Sequence, residues 1–185
     1  MGKLIYSMIT SLDGYVSDRK GQFGWGVPEE EPHQFVNEQS RGIGTYLYGR
    51  RMYETMVYWE TADTPDQPPY VREYARIWQS TQKIVYSSTL TEVSSERTRI
   101  ERTFDPDAVR RLKAESDLDL TVDGPNPAAQ AIQAGLVDEY QLYIGPAIVG
   151  GGHRFFPDNV HTNLTLLDEH RFTNGVLYLR YAANQ

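Results

Sequence analysis

Two arginines behind a glycine are the first residues in this chain whose types and spacing suggest chemistry. Gly49-Arg50-Arg51-Met52-Tyr53-Glu54 follows an apolar run, Thr45 to Tyr48, that reads as a buried strand, and it opens a helical run from Met52 to Tyr58. A glycine at that junction lets the backbone approach a ligand closely. The helix start beyond it favours anions. Two permanently charged, planar guanidinium forks suit phosphate. The segment therefore reads as one wall of a pocket for a phosphorylated cofactor.

Three more segments stand at comparable places. Ser87, Ser88 and Thr89 follow another strand, and their hydroxyls suit a phosphate already held by arginine. Asp123-Gly124-Pro125-Asn126 forms a turn before a helix, whose N-terminus suits a second phosphate. Ser11-Leu12-Asp13-Gly14 closes the first strand. Each is by itself a common turn pattern. Ligands of open parallel sheets bind at the carboxyl ends of the strands, however, and all of these segments fall there.

The run Glu29-Glu30-Glu31 admits two readings. It complements a helix dipole, or one carboxylate turns inward and pairs with an amidine-like ring edge. His33, His153, His161 and His170 lack metal-ligand spacing, and no metal is expected. A P-loop, a nucleophile elbow and the Gly-x-Gly-x-x-Gly fingerprint are all missing from the sequence.

The elements that must position these residues follow from pattern. Strands are expected at Lys3–Ile9, Thr45–Tyr48, Lys83–Ser87, Leu118–Val122 and Glu139–Ile144, with an edge strand at Arg97–Arg102. Helices are expected from Pro28 to about Gln39, from Arg51, and over Val71–Gln79. Two more are expected, from an Asp105 cap to Glu115 and over Pro127–Ala134. Asp18–Val27 and Gly150–Gly152 read as loops. Thr173-Asn174-Gly175 marks a hairpin between Leu164–Phe172 and Val176–Tyr181. Alternating strands and helices imply an α/β, three-layer αβα architecture, with a mainly parallel twisted sheet and a C-terminal antiparallel hairpin.

Composition bounds the function. The 185 residues suit one domain, and the net charge of −7 argues against a nucleic-acid partner. The absence of cysteine excludes disulfides and thiolate chemistry. No signal peptide or bilayer-spanning run is seen, so the expectation is a cytoplasmic protein with no membrane partner.

In register along nearly the whole chain, five segments resemble the dihydrofolate reductase superfamily. They are Ser11-Leu12-Asp13-Gly14, Gly49–Glu54, Lys83–Leu90, Gly135-Leu136-Val137-Asp138-Glu139, and Pro146 with Gly150–Gly152 and Phe155-Phe156. Within it the chain is most similar to stand-alone relatives of the reductase domain of bifunctional riboflavin-biosynthesis enzymes. The resemblance implies the dihydrofolate-reductase-like fold and NADPH as cofactor. It places Gly49, Arg50 and Arg51 at the 2′-phosphate, helped by Ser87 and Ser88, and the Asp123-Gly124-Pro125 loop at the pyrophosphate. Met8, Ile9, Asp13 and Gly14 would flank the nicotinamide. Trp25–Glu30 resembles a run of bacterial dihydrofolate reductases that puts Glu30 at the pterin-binding, proton-donating carboxylate. Lys3, His153 and Arg154 would contribute to binding a phosphorylated substrate.

The implied activity is reduction of 5-amino-6-(5-phosphoribosylamino)uracil. Dihydrofolate or pterin reduction, and cofactor binding without turnover, are the alternatives, and a homodimer is implied by relatives. Two residues depart from the pattern. Met52 removes a hydroxyl, and Asp123 replaces a glycine, so its carboxylate is expected to crowd the pyrophosphate unless it points away.

Overall fold

Strand side chains alternate between two faces, and in this protein both faces are covered. The computed structural model describes residues 1–26 and 29–184; Val27 and Pro28, within the Trp25–Glu30 run, lie outside them. The strands are β1 (Leu4–Thr10), β2 (Tyr15–Asp18), β3 (Ile43–Gly49), β4 (Gln82–Tyr86), β5 (Thr98–Glu101), β6 (Asp119–Asp123), β7 (Glu139–Ile144), β8 (Gly152–Arg154), β9 (Leu164–Arg171) and β10 (Leu177–Ala183). The helices are α1 (Glu30–Ser40), α2 (Arg50–Met56), α3 (Pro69–Ser80), α4 (Pro106–Glu115) and α5 (Pro125–Gln133).

Eight strands form one sheet in the order β5-β4-β3-β6-β1-β7-β10-β9. The first six of these run parallel, and β10 and β9 close the edge antiparallel. Leu4, Leu47, Ile84, Leu120 and Val122 point to one face, where Val109 of α4 and Ala128, Ala131 and Ile132 of α5 cover them. Tyr46, Tyr48 and Val85 point to the other, under Tyr53 of α2 and Tyr74 and Trp78 of α3. The result is the three-layer, dihydrofolate-reductase-like αβα fold with a C-terminal antiparallel hairpin. Among the described residues no helix is long and apolar enough to cross a membrane.

The expected element order holds, with shifted ends. Asp105 caps α4 by accepting the Asp107 N–H at 2.9 Å. Gly175 turns the β9–β10 hairpin at φ +87°. Two strands depart from the sequence reading. The stretch between the Ser11–Gly14 turn and the Asp18–Val27 loop, and the end of the Gly150–Gly152 loop, contribute β2 and β8, for which no strand is expected and which pair as a separate antiparallel ribbon. Gly152 makes that contact possible: a Cβ there would stand 1.9 Å from the Ser17 carbonyl oxygen.

The Gly-Leu-Val-Asp-Glu segment leads into the start of β7, and its acids are structural. Asp138 accepts the Leu4 N–H at 2.7 Å and pairs with Lys113 at 2.6 Å. Glu139 pairs with Lys3 at 2.5 Å. Lys3 is thereby committed to the start of β1 and is not among the residues lining the cavity described next.

Candidate active site

Parallel strands that end together leave a crevice, and here it deepens into a cavity of about 990 Å³. Its outer part gathers Met8 and Ile9 from β1, Gly49 at the end of β3, and Arg50 and Arg51 of α2. Ser87, Ser88 and Thr89 after β4, and the turn Asp123-Gly124-Pro125-Asn126, complete it. Its inner part runs between the sheet and α1, lined by Ser7, Thr121, Gln141 and Tyr143 on one side and His33, Val36 and Ser40 on the other. The β2–β8 ribbon supplies Val16, Ser17 and His153 to the lip.

The two arginines differ. Arg50 donates from Nε to Glu54 Oε1 at 2.7 Å and from Nη1 to Thr89 Oγ1 at 2.8 Å. Arg51 is exposed on the cavity wall, and no acidic partner reaches it among the described residues. Arg50 thus braces the turn, and Arg51 holds the guanidinium free for an anion. The serines divide similarly. Ser87 Oγ accepts the N–H groups of Thr89 at 3.3 Å and Leu90 at 3.0 Å, whereas Ser88 is exposed. Gly124 caps α5 at φ +99°, a conformation that side chains other than glycine rarely adopt. A Cβ on Gly49 would lie 3.2 Å from Pro127 Cδ. The two glycines therefore leave the backbone bare beside the start of α5.

Three expected site residues are placed elsewhere. Glu30 stands exposed on the first turn of α1, accepts from Gln34 Nε2 at 3.0 Å, and does not line the cavity. Its neighbour Glu31 accepts from the Thr173 N–H at 3.0 Å and ties α1 to the β9–β10 hairpin. This triplet therefore supplies no inward carboxylate to the cavity. Asp13 accepts from Ser11 Oγ at 2.7 Å and from the N–H groups of Val149 at 3.2 Å and Gly150 at 2.8 Å. It fastens the β1–β2 turn to the loop before β8. Gly14 sits in that turn at φ +85°. Neither Asp13 nor Gly14 lines the cavity.

The carboxyl group inside the cavity is Asp123. Alternation along β6 sends Leu120 and Val122 to the α4–α5 face and Thr121 and Asp123 to the other. The side chain thus turns inward and away from the Gly124 backbone. It is 7 % exposed and accepts from Thr121 Oγ1 at 2.6 Å. Burial without a cation partner pushes its pKa up to about 7, against the smaller opposing effect of the Thr121 hydroxyl. His33, bonded to Asn37 at 3.2 Å, is held below its usual pKa by burial. Burial likewise pushes Tyr46 up to about 12 and leaves its hydroxyl without a partner among the described residues. The sequence reading places Asp123 in the pyrophosphate loop, with a carboxylate that would crowd the pyrophosphate unless it points away, and does not single it out as an inward-facing acid. The alternation of β6 carried the missing signal.

This chain is similar to known proteins over its whole length. Residues 2–178 match the profile of the RibD C-terminal domain. It is 26 % identical over 186 aligned residues to the uncharacterised protein YyaP of Bacillus subtilis (strain 168), covering 98 % of this chain and 95 % of that protein. A putative riboflavin biosynthesis protein from Shewanella sp. PV-4 superposes with a TM-score of 0.75 at 21 % identity, covering all of both chains. A dihydrofolate reductase from Enterococcus faecalis, solved in complex with NADP(H) and RAB-propyl, superposes with a TM-score of 0.61 at 14 % identity, covering 100 % of this chain and 98 % of that one.

Proposed function

The chain belongs to the RibD C-terminal domain family, and from that premise we propose that it is an NADPH-dependent reductase of a pyrimidine- or pteridine-type substrate, passing hydride to a polarised C=N or C=O carbon. The named substrate of the reading is 5-amino-6-(5-phosphoribosylamino)uracil. The observation that carries it is the continuity of the cavity: phosphate-suited turns and the residues between the sheet and α1 line one space of about 990 Å³. The residues present fit the cofactor. Arg51 and Ser88 suit the 2′-phosphate, and the bare backbone at Gly124 with the start of α5 suits the pyrophosphate. Met8 and Ile9 suit the nicotinamide.

Bound there, NADPH supplies a hydride, and the protein supplies binding, orientation and electrostatics. Ile9, Val36 and Tyr143 give the inner part of the cavity apolar walls. Asp123 is the one acidic side chain among the lining residues, and at neutral pH it is placed to give a proton to the heteroatom beside the reduced carbon. It takes the part that the sequence reading gave to Glu30.

The test is a pair of cofactor titrations. Arg51→Ala should weaken NADPH at least about tenfold and NADH little, because only the former carries the 2′-phosphate. Arg50→Ala should weaken both modestly, through a loosened turn. Equal losses for the two cofactors in Arg51→Ala would remove the 2′-phosphate assignment. Absence of NADPH binding at millimolar concentration would sink the reductase reading. Binding without oxidation by any pyrimidine or pteridine would leave a cofactor-binding protein without turnover.

A further inference from the structure

His33 and Asn37 stand four residues apart on α1, so their side chains share one face of the helix. That face meets Tyr70, Glu73 and Tyr74 of α3. Asn37 is wholly buried, and its Nδ2 donates to the Tyr70 carbonyl oxygen at 2.9 Å and to Glu73 Oε2 at 3.0 Å. Glu73 is held in turn by Arg41. These two acceptors fix the amide, because turning it over would set its oxygen against a carbonyl oxygen and a carboxylate. Asn37 Oδ1 then faces His33 Nδ1 at 3.2 Å and can only accept, so Nδ1 carries the ring proton.

That tautomer leaves a bare lone pair on Nε2. Burial holds His33 below its usual pKa, so the ring stays neutral at neutral pH. Trp59, Tyr70 and Tyr74 meet the imidazole edge to face, with centroids 5.7, 5.1 and 5.6 Å away, and hold its plane. Buried polar atoms are nearly always hydrogen-bonded, and exceptions need an explanation. His33 is 6 % exposed and lines the cavity, yet among the described residues no hydrogen bond reaches Nε2, and the atom stays accessible. Arg41, Glu73 and Asn37 thus act in series to present a pure acceptor to the cavity.

The polar groups on the sheet side, Ser7, Gln141 and the acid form of Asp123, each carry a donor beside an acceptor and adapt to either kind of partner. Neutral His33 does not adapt. A ligand group that donates satisfies it, whereas an apolar group in the same place leaves the lone pair unpaired and dry. An amino group on an electron-poor ring spreads its own lone pair into that ring and acts as a donor alone, which complements such an atom.

We propose that His33 is a specificity-determining residue of this site, its Nε2 accepting a hydrogen bond from an amino group carried by the substrate ring. The assignment rests on the reading of the cavity as a reductase's substrate site and adds to it a contact from α1.

The experiment titrates 5,6-diaminouracil into the full chain at neutral pH without cofactor, beside 5,6-dimethyluracil, which keeps the ring and replaces both amino groups by methyl groups of similar size. The diamino probe should bind, and the dimethyl probe should bind about tenfold or more weakly. Nitrogen NMR of the imidazoles adds a reading that a merely structural histidine would not give. The His33 signals are those missing from His33→Phe or His33→Gln. In the free protein Nδ1 should be protonated and Nε2 unprotonated. The diamino probe should move the Nε2 signal towards the protonated position, and the dimethyl probe should leave it in place. His33→Phe should lose about tenfold for the diamino probe and little for the dimethyl one. His33→Gln keeps an acceptor oxygen near the position of Nε2 and should recover part of that loss. If the phenylalanine variant does not fold, the glutamine variant assigns the signals and the wild-type spectra decide.

No binding of the diamino probe, equal affinity for the two probes, the opposite tautomer, or an Nε2 signal unmoved at saturation would each overturn the proposal. NADPH binding by the wild type is read separately in the same samples, by cofactor fluorescence. Its absence would count against the reductase reading and leave the His33 result standing.

Discussion

Asp123 holds a proton that an exposed aspartate would have lost. Its pKa rises from 3.8 to about 7 because burial penalises the charge and no cation compensates. Between those values the folded protein binds more protons at this group than the unfolded chain does. Its contribution therefore favours folding fully below about pH 4 and is lost as pH rises through about 7. Asp123→Asn removes this titration. The variant should gain on the wild type as pH rises, by up to about 4 kcal/mol above pH 7 and by less at pH 5. Urea unfolding of both proteins at pH 5 and pH 8 measures the gap. A gap of equal size at both values would mean that Asp123 is already ionised in the native state. The division of labour between Arg50 and Arg51 belongs to this scale too. Neighbours in sequence, they differ in surroundings because Glu54 and Thr89 take Arg50 and leave Arg51.

At the scale of elements, the segments that mark the family divide between chemistry and architecture. Asp138 holds the start of β1 through the Leu4 N–H and anchors α4 through Lys113. Asp138→Asn loses the charge in both contacts and should cost about 1–2 kcal/mol of stability, with NADPH affinity unchanged. Denaturant melts combined with a cofactor titration check both halves. A weaker NADPH affinity at unchanged stability would reverse the assignment. The β2–β8 ribbon depends on Gly152, whose φ of +144° and close approach to Ser17 admit no side chain. Gly152→Ala should part the ribbon. Hydrogen exchange should then quicken at the β2 amides while those of β3 and β6 stay protected. Because the ribbon forms the cavity's lip, ligand affinity should fall with it. Unchanged exchange in β2 would show that the ribbon tolerates the Cβ.

At the scale of the molecule, the site is assembled from the ends of β1, β3, β4 and β6, which are remote in sequence. A cofactor that bridges them binds the folded state alone. At a hundredfold excess over its Kd, NADPH should stabilise the protein by about 2.7 kcal/mol. That corresponds to a rise in Tm of roughly 5–10 °C for a chain of this size. A thermal scan with and without cofactor measures it, and no shift at saturation would mean that binding does not depend on the assembled cleft.

What the sequence determined by itself is local chemistry. Strand alternation, the Asp105 cap, the Thr173-Asn174-Gly175 hairpin and the turns at Gly49 and Gly124 depend on neighbours within a few residues, and those neighbours are written in order. The strands β2 and β8 were illegible because they are 4 and 3 residues long and exist only through pairing with each other across the chain. Which carboxylate faces the cleft was also beyond local reading. Glu30 and Asp123 have the same chemistry. The packing of α1 left one in water, and the sheet face on which β6 lies enclosed the other. Tertiary structure alone decided that, since burial, and with it the charge of a carboxyl group, is a property of the assembled layers.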